Sequence, residues 1–269
     1  MRAMCRRRPV TCFVVLAFAL SWAWWLPFVL RGDDVTRGDP WPTQLVGLWG
    51  PGLAAVLVTG ALNGRDGLAE LWSRLTRWRV PGRWYAVSAG TLVLGLGVAM
   101  LAYPGRAFSD AASYSGTPNL GLVLTFLLIL GVNGFGEETG WRGFMADRLL
   151  PRHGPLKASL LVAAVWGLWH LPLFFLLPSL RGLGVAALGW ILGLACGSLV
   201  LTWMYASSGH SVLVVALWHT SYNFASGTAL TDGTAAAVTS TGVMAAAAFL
   251  AVRLHTGSAR RQLVAEEST

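Results

Sequence analysis

Side chains that could carry out chemistry are concentrated in three short segments of an otherwise apolar chain. The segments are Glu137-Glu138-Thr139-Gly140-Trp141-Arg142-Gly143, Trp166-Gly167-Leu168-Trp169-His170-Leu171-Pro172 and His219-Thr220-Ser221-Tyr222-Asn223. Each segment lies in or beside a long uncharged stretch, where an ionisable group is costly and therefore indicates a function. Carboxylate, imidazole and carboxamide groups can together activate water and stabilise an oxyanion, or they can bind a metal ion.

The first segment contains two adjacent carboxylates and an arginine. If the segment is helical, Glu138 and Arg142 share one face at the i, i+4 spacing, at which a carboxylate meets a guanidinium. Glu137 points about 100° away on the same turn. One carboxylate can then be held ionised by Arg142 while the other takes a proton from water. The alternative is an acid pair at the membrane interface with an arginine that extends towards the water.

The second and third segments each place a histidine inside an apolar helix. Pro172 removes a backbone donor and frees the carbonyl of Leu168, so we expect a kink and a polar gap beside His170. His219 and Asn223 share a helix face at the i, i+4 spacing and project together into the bundle. His170 could instead serve only as a hydrogen-bond partner between helices.

Two kinds of catalytic site are compatible with these residues. In a metal site, Glu137, His170 and His219 would bind zinc through one oxygen and two nitrogens. In a metal-free site, Glu137 and His170 would polarise a water molecule. His219 and Asn223 would then donate hydrogen bonds to the oxyanion of a tetrahedral intermediate. The residues alone leave both possibilities open.

The elements that must position these residues are membrane-spanning helices. Hydrophobic residues make up 55% of the 269 residues and charged residues only 12%, which excludes an ordinary water-soluble domain. Uncharged runs of the length that a bilayer core requires, about 20 residues, recur along the chain. They predict an all-α, polytopic membrane protein with about eight spans, near residues 10–30, 44–63, 84–104, 119–137, 157–178, 185–205, 211–230 and 234–254.

The three motifs do not lie at one depth if these helices are straight. At 1.5 Å per residue, His170 would lie roughly 20 Å along its helix from Lys157. Glu137 would lie at the inner end of its own span. We therefore expect either that the fourth helix enters deeper than residue 137 or that the fifth begins well outside the membrane.

The net charge of +8 indicates a membrane topology. Most of the 20 basic residues fall on alternate connecting segments, which places both termini in the cytoplasm by the positive-inside rule. The basic residues left on the other side are Arg31, Arg37, Arg106 and Arg181.

Residues 67–80 have the pattern of an amphipathic helix on the inner surface. We expect no nucleic-acid partner, because no basic cluster comes with a soluble domain to present it. The cysteines predict neither a disulfide framework nor a metal site.

Together the motifs resemble those of the type II CAAX prenyl protease and bacteriocin-processing family, the CPBP or Abi intramembrane proteases. That family has Glu-Glu-x-x-x-Arg, aromatic-x-x-x-His and His-x-x-x-Asn motifs, in this order and on separate membrane helices. The resemblance covers about residues 119–226. It implies three parts of one membrane protein: N-terminal helices and the amphipathic segment in 1–118, a catalytic core in 119–230, and a last helix with a polar cytoplasmic tail in 231–269.

The resemblance also implies a role for each motif residue. Glu137 with His170 would activate water, and Glu138 with Arg142 would be a structural pair that orients the site. His219 and Asn223 would stabilise the transition state. The family often has Phe where this chain has Trp166, which we expect to keep an apolar wall. The resemblance leaves catalysis of the glutamate type and of the zinc metalloprotease type open.

The expected function is therefore that of an intramembrane endopeptidase in the cell membrane, a bacterial plasma membrane. Its expected partners are the lipid bilayer and a membrane-associated peptide or protein substrate. The main alternative is a non-catalytic immunity or scaffold protein that keeps the protease fold. A secondary transporter is less favoured because no repeat relates the two halves of the chain.

Overall fold

The computed structural model confirms an all-α protein. It describes the backbone of residues 2–267 and the side chains of residues 5–256. The helices are α1 (Arg2–Arg7), α2 (Pro9–Arg31), α3 (Gly50–Leu75), α4 (Arg83–Ala102), α5 (Leu122–Ile129), α6 (Gly136–Gly140), α7 (Asp147–Trp169), α8 (Leu173–Leu176), α9 (Pro178–Arg181), α10 (Ala187–Ser207), α11 (Val212–Ser226) and α12 (Thr234–Glu267). Two π-helical turns, Leu130–Phe135 and Trp141–Ala146, flank α6.

In the part of the chain that the structure describes, six helical stretches are long and apolar enough to cross a membrane. They are Pro9–Arg31, Gln44–Leu75, Arg83–Ala102, Leu122–Trp169, Gly184–Ser207 and Thr234–Thr256. Eight were predicted. The difference arises because the fourth and fifth predicted spans lie in one 48-residue stretch and because α11 has only 15 residues. The chain is a multi-pass membrane protein, whereas eight spans and cytoplasmic termini stay predictions.

The first membrane helix, α2, has clear start and stop signals. It begins at Pro9, whose fixed φ and missing N–H suit the first helical turn. It ends at Gly32, which has a φ of 73° and whose N–H donates to the carbonyls of Phe28 and Val29. A disulfide joins Cys5 of α1 to Cys12 of α2, so the prediction that the cysteines form no disulfide is wrong for this pair.

The stretch that carries the first two motifs is bent. Between α5 and α7 the backbone widens into the two π-helical turns, and within α7 it breaks at Gly154, where φ is 67°. Pro151 and Pro155 flank this break, and a proline cannot donate the backbone hydrogen bond that a continuous helix requires. The helical path thus continues well past Glu137 before it breaks at Gly154.

A close contact between α3 and α6 brings the carboxylate motif against a neighbouring helix. A Cβ atom built on Gly140 would lie 2.5 Å from Cβ of Pro51. One built on Gly52 would lie 2.7 Å from the carbonyl oxygen of Gly136. Larger residues do not fit here without a shift of the helices, because backbone meets backbone as in other small-residue contacts between membrane helices.

Aromatic side chains form the core around this contact. The rings of Trp141 and Trp169, which are both fully buried, lie 5.6 Å apart between centroids. Trp25 of α2 lies 4.8 Å from Trp169, and Phe13 of the same helix stacks on Phe144 at 4.8 Å. The first two motifs and α2 therefore share one hydrophobic core, which fixes the second half of α7.

A polar cluster links the ends of α3, α7 and α10. Oδ2 of Asp147 lies 2.6 Å from a guanidinium nitrogen of Arg74. Its Oδ1 lies 3.0 Å from Nδ1 of His210 and accepts a hydrogen bond from the hydroxyl of Tyr205 at 3.1 Å. His210 is half exposed and has this carboxylate as its partner. The helical part of the predicted amphipathic segment is present as the end of α3, beyond a break at Gly64.

Candidate active site

The short helix α6 places both carboxylates of the first motif in the interior. Glu137 is 1% exposed and Glu138 is 0% exposed. A π-helical turn inserts an extra residue and thereby changes the direction of the side chains that follow. The turns on both sides of α6 therefore set which way the two carboxylates point, and such turns are frequent at functional sites.

Glu138 is the centre of a buried charged cluster. Its Oε1 accepts a hydrogen bond from Nη1 of Arg142 at 2.9 Å and lies 2.8 Å from Nδ1 of His219. The guanidinium of Arg142 also lies 4.7 Å from the centre of the Trp166 ring. Because an ionised carboxylate only accepts hydrogen bonds, we assign the proton to Nδ1 of His219. Nε2 of His219 is then the nitrogen that is free to contact a ligand.

Glu137 is held by two different donors. Its Oε2 accepts a hydrogen bond from the indole Nε1 of Trp166 at 2.7 Å, and its Oε1 accepts one from Nδ2 of Asn133 at 3.3 Å. Trp166, which we expected to be an apolar wall, is therefore also a hydrogen-bond donor. Asn133 was not identified from the sequence, although its i, i+4 spacing to Glu137 is the signal that could have found it.

His170 lies among tryptophans and contacts Trp166, the residue that donates to Glu137. Its Nδ1 lies 2.7 Å from the carbonyl oxygen of Trp166. A carbonyl only accepts, so Nδ1 carries the proton and Nε2 of the neutral ring keeps its lone pair. Its ring packs against Trp166, Trp169 and Trp190 at centroid distances of 5.6, 4.9 and 5.2 Å. Trp166 contacts both Glu137 and His170, which share no hydrogen bond within the described residues.

Several buried polar atoms around these residues have no protein partner. One is the amide nitrogen Nδ2 of Asn223, on the same helix as His219. Others in this region include Nε and Nη2 of Arg142, Oε2 of Glu138 and Oδ1 of Asn133. Buried polar groups are normally hydrogen-bonded, so atoms of this kind are suited to bind water or polar groups of a ligand.

The expected zinc ligands do not form a metal site in this arrangement. Among side chains 5–256, no three His, Cys, Asp or Glu residues come together as possible metal ligands. We therefore assign no catalytic step to a metal, and zinc stays one of the two alternatives that the sequence leaves open.

Comparison with known proteins agrees with this arrangement of motifs. Residues 119–225 match the model of the family "Type II CAAX prenyl endopeptidase Rce1-like". This segment is similar to the Rce1-like CAAX protease family. The Rce1-like match includes every residue of the three motifs, and α2, α3, α4 and α12 lie outside it.

A curated relative gives the same result. The chain is 32% identical over 99 residues to "CAAX prenyl protease 2" of Methanococcus maripaludis. The alignment covers 35% of this chain and 36% of that protein, so the chain matches about a third of the length of this relative.

Proposed function

We propose that the protein is an intramembrane endopeptidase that hydrolyses a peptide bond of a membrane-associated protein or peptide. The observation that carries the proposal is the buried carboxylate of Glu137, held by the indole of Trp166 within the segment that matches the protease family. A carboxylate in this position can act as a general base for water, provided that a substrate bond reaches it.

Activation of water is assigned to Glu137 and His170. The two side chains share no hydrogen bond, but both contact Trp166, and a water molecule can lie between them. Oε2 of Glu137 is oriented by Trp166, and Nε2 of His170 has a lone pair that can accept a hydrogen bond from the same water. The water oxygen then attacks the carbonyl carbon of the peptide as Glu137 takes its proton.

Stabilisation of the oxyanion is assigned to Asn223 and His219. Nδ2 of Asn223 is a buried donor without a protein partner, as an oxyanion site requires. Nε2 of His219 donates only when the ring carries both protons, and the ionised Glu138 beside Nδ1 balances that positive charge. When the intermediate collapses, the C–N bond breaks and the proton on Glu137 passes to the leaving amine, which gives a free carboxylate and an amine.

Glu138 and Arg142 are assigned an orienting role. Both are 0% exposed, so neither can contact bulk solvent. Their pair holds His219 through the shared Oε1 atom of Glu138. We place the protein in a bacterial plasma membrane with both termini in the cytoplasm, as the distribution of arginines predicts.

Mass spectrometry of new protein termini tests the proposal without a substrate chosen in advance. Membranes are compared from cells that express the wild type, Glu137→Gln or Asp66→Asn at matched levels. Asp66 is an exposed carboxylate far along the chain and serves as the control. We expect a set of termini that is present with the wild type and Asp66→Asn and absent with Glu137→Gln. Identical termini in all three membranes would contradict proteolysis and favour the immunity or scaffold alternative.

The role of zinc is tested on the same termini. Washed membranes that contain the wild type are incubated with a chelator before the cleavage time course. Because the expected ligands do not come together, we expect cleavage to continue at an unchanged rate. Loss of cleavage that added zinc restores would instead assign the reaction to a metal.

A further inference from the structure

Residues 113–117, which precede α5, are fixed by contacts with three other parts of the chain. The backbone hydrogen bonds are Ala229 N–H to Ser113 O at 2.9 Å and Gly116 N–H to Thr36 O at 2.8 Å. The side-chain bonds are Thr43 Oγ1 to Gly116 O at 2.7 Å and Gln44 Nε2 to Ser115 O at 3.0 Å. A loop with this many partners presents its side chains in one arrangement.

Tyr114 of this loop packs against the end of α11. Its ring is stacked on Phe224, with 6.3 Å between centroids and 13° between the planes. A Cβ atom on Gly227 would lie 3.2 Å from Cε2 of Tyr114 and 3.0 Å from the carbonyl oxygen of Asn223. The edge of the tyrosine ring and the backbone of Asn223 therefore meet at Gly227, where a larger residue would need one of them to shift by a few tenths of an ångström.

The hydroxyl of Tyr114 forms no hydrogen bond with any described residue. Burial raises the pKa of this phenol above its usual range, and the charge on Glu137 raises it further, whereas Arg37 lowers it. The hydroxyl therefore stays protonated and lies within the electrostatic reach of Glu137. It is a donor without a partner among the described residues, on a half-buried side chain beside the end of α11 that carries Asn223.

We propose that Tyr114 positions the substrate, with its hydroxyl donating a hydrogen bond to a backbone carbonyl of the peptide bound between Glu137 and Asn223. This inference rests on the proposed protease function. Tyr114 is not in any of the three sequence motifs. It lies on a different part of the chain and meets the end of α11 at Phe224 and Gly227. A donor at this point fixes which peptide bond faces Glu137.

The experiment uses full-length protein in membranes and the termini that depend on Glu137. Wild type, Tyr114→Phe, Tyr222→Phe and Glu137→Gln are expressed at matched levels, and the termini are quantified over time. Tyr114→Phe keeps the ring that stacks on Phe224 and loses only the hydroxyl. Tyr222→Phe is the matched control, since its hydroxyl bonds to Ser240 at 2.9 Å and not to the site.

We expect Tyr114→Phe to lower the rate of appearance of the wild-type termini about tenfold, the effect of one lost hydrogen bond. We also expect new termini at bonds adjacent to the wild-type bond. A purely structural role would reduce all termini together and leave their positions unchanged, which would overturn the proposal. Wild-type rates and positions for Tyr114→Phe would also overturn it. Termini that are the same in wild type and Glu137→Gln would instead overturn the protease function itself.

Discussion

The indole nitrogen of Trp166 donates a hydrogen bond to Oε2 of Glu137 over 2.7 Å, which connects the first two sequence motifs directly. Through the same residue, the carbonyl of Trp166 holds Nδ1 of His170 at 2.7 Å. One tryptophan therefore orients both groups that we assign to the activation of water. An apolar residue at this position would supply the wall and the carbonyl but not the indole donor.

Trp166→Phe is expected to destabilise the protein more than Trp84→Phe. Both tryptophans are buried, but the indole nitrogen of Trp84 has no hydrogen-bond partner. The loss of ring volume is the same in the two variants, so the difference reports the hydrogen bond to Glu137. We expect an excess loss of about 1–3 kcal/mol in the free energy of unfolding, measured with denaturant in detergent micelles. Equal losses would show that Glu137 does not need this donor in the folded state.

Arg142→Met is expected to be severely destabilising, because it leaves the buried carboxylate of Glu138 without its guanidinium. Removal of one partner of a buried ion pair costs about 3–5 kcal/mol. The double variant Glu138→Leu with Arg142→Met removes both charges and should recover part of that loss. The free energies of unfolding of the two single variants and the double variant form the test. Additive losses would mean that the 2.9 Å contact contributes no coupling.

Gly140→Ala is expected to disrupt the contact between α3 and α6. Its new methyl group would lie 2.5 Å from Cβ of Pro51, and overpacking of this kind costs about 1–3 kcal/mol. Gly131→Ala is the control on the same helical stretch, since no atom lies within 4 Å of the position that its new methyl group would take. Because alanine favours helix over glycine, we expect Gly131→Ala to be neutral or slightly stabilising. Thermal unfolding of the two variants distinguishes a specific contact from a general intolerance of alanine.

The ion pair of Asp34 and Arg181 predicts a pH dependence of stability. Hydrogen bonds from Arg181, at 2.7 and 2.9 Å, lower the pKa of Asp34. A lowered pKa in the folded state stabilises the protein above the unfolded pKa of about 3.9, and this contribution is lost as the pH falls through the folded value. The pair is exposed, so we expect only a small difference in Tm between wild type and Asp34→Asn.

That difference in Tm should stay constant from neutral pH down to about pH 5 and should close below about pH 4. The measurement is thermal unfolding of both proteins over this range in one detergent. A difference that grows as the pH falls would contradict the pairing, because protonation of Asp34 removes the charge that Arg181 contacts.

The features that could be predicted from the sequence are those set by local spacing. The uncharged runs predicted a helical membrane protein because a bilayer admits few other structures. The i, i+4 spacing placed Glu138 beside Arg142, and the structure shows this contact. The number of spans was not predictable in the same way, because hydropathy does not show that residues 122–169 form one bent stretch.

The sequence by itself thus determined the fold class, the three motifs and the contacts within one helix turn. Only the tertiary structure decided that Glu138 lies against His219, that Trp166 donates to Glu137, and that Tyr114 packs at the end of α11. These partners are far apart along the chain. These contacts depend on the π-helical turns around α6 and on the break at Gly154. Each bend changes the direction of the side chains that follow it.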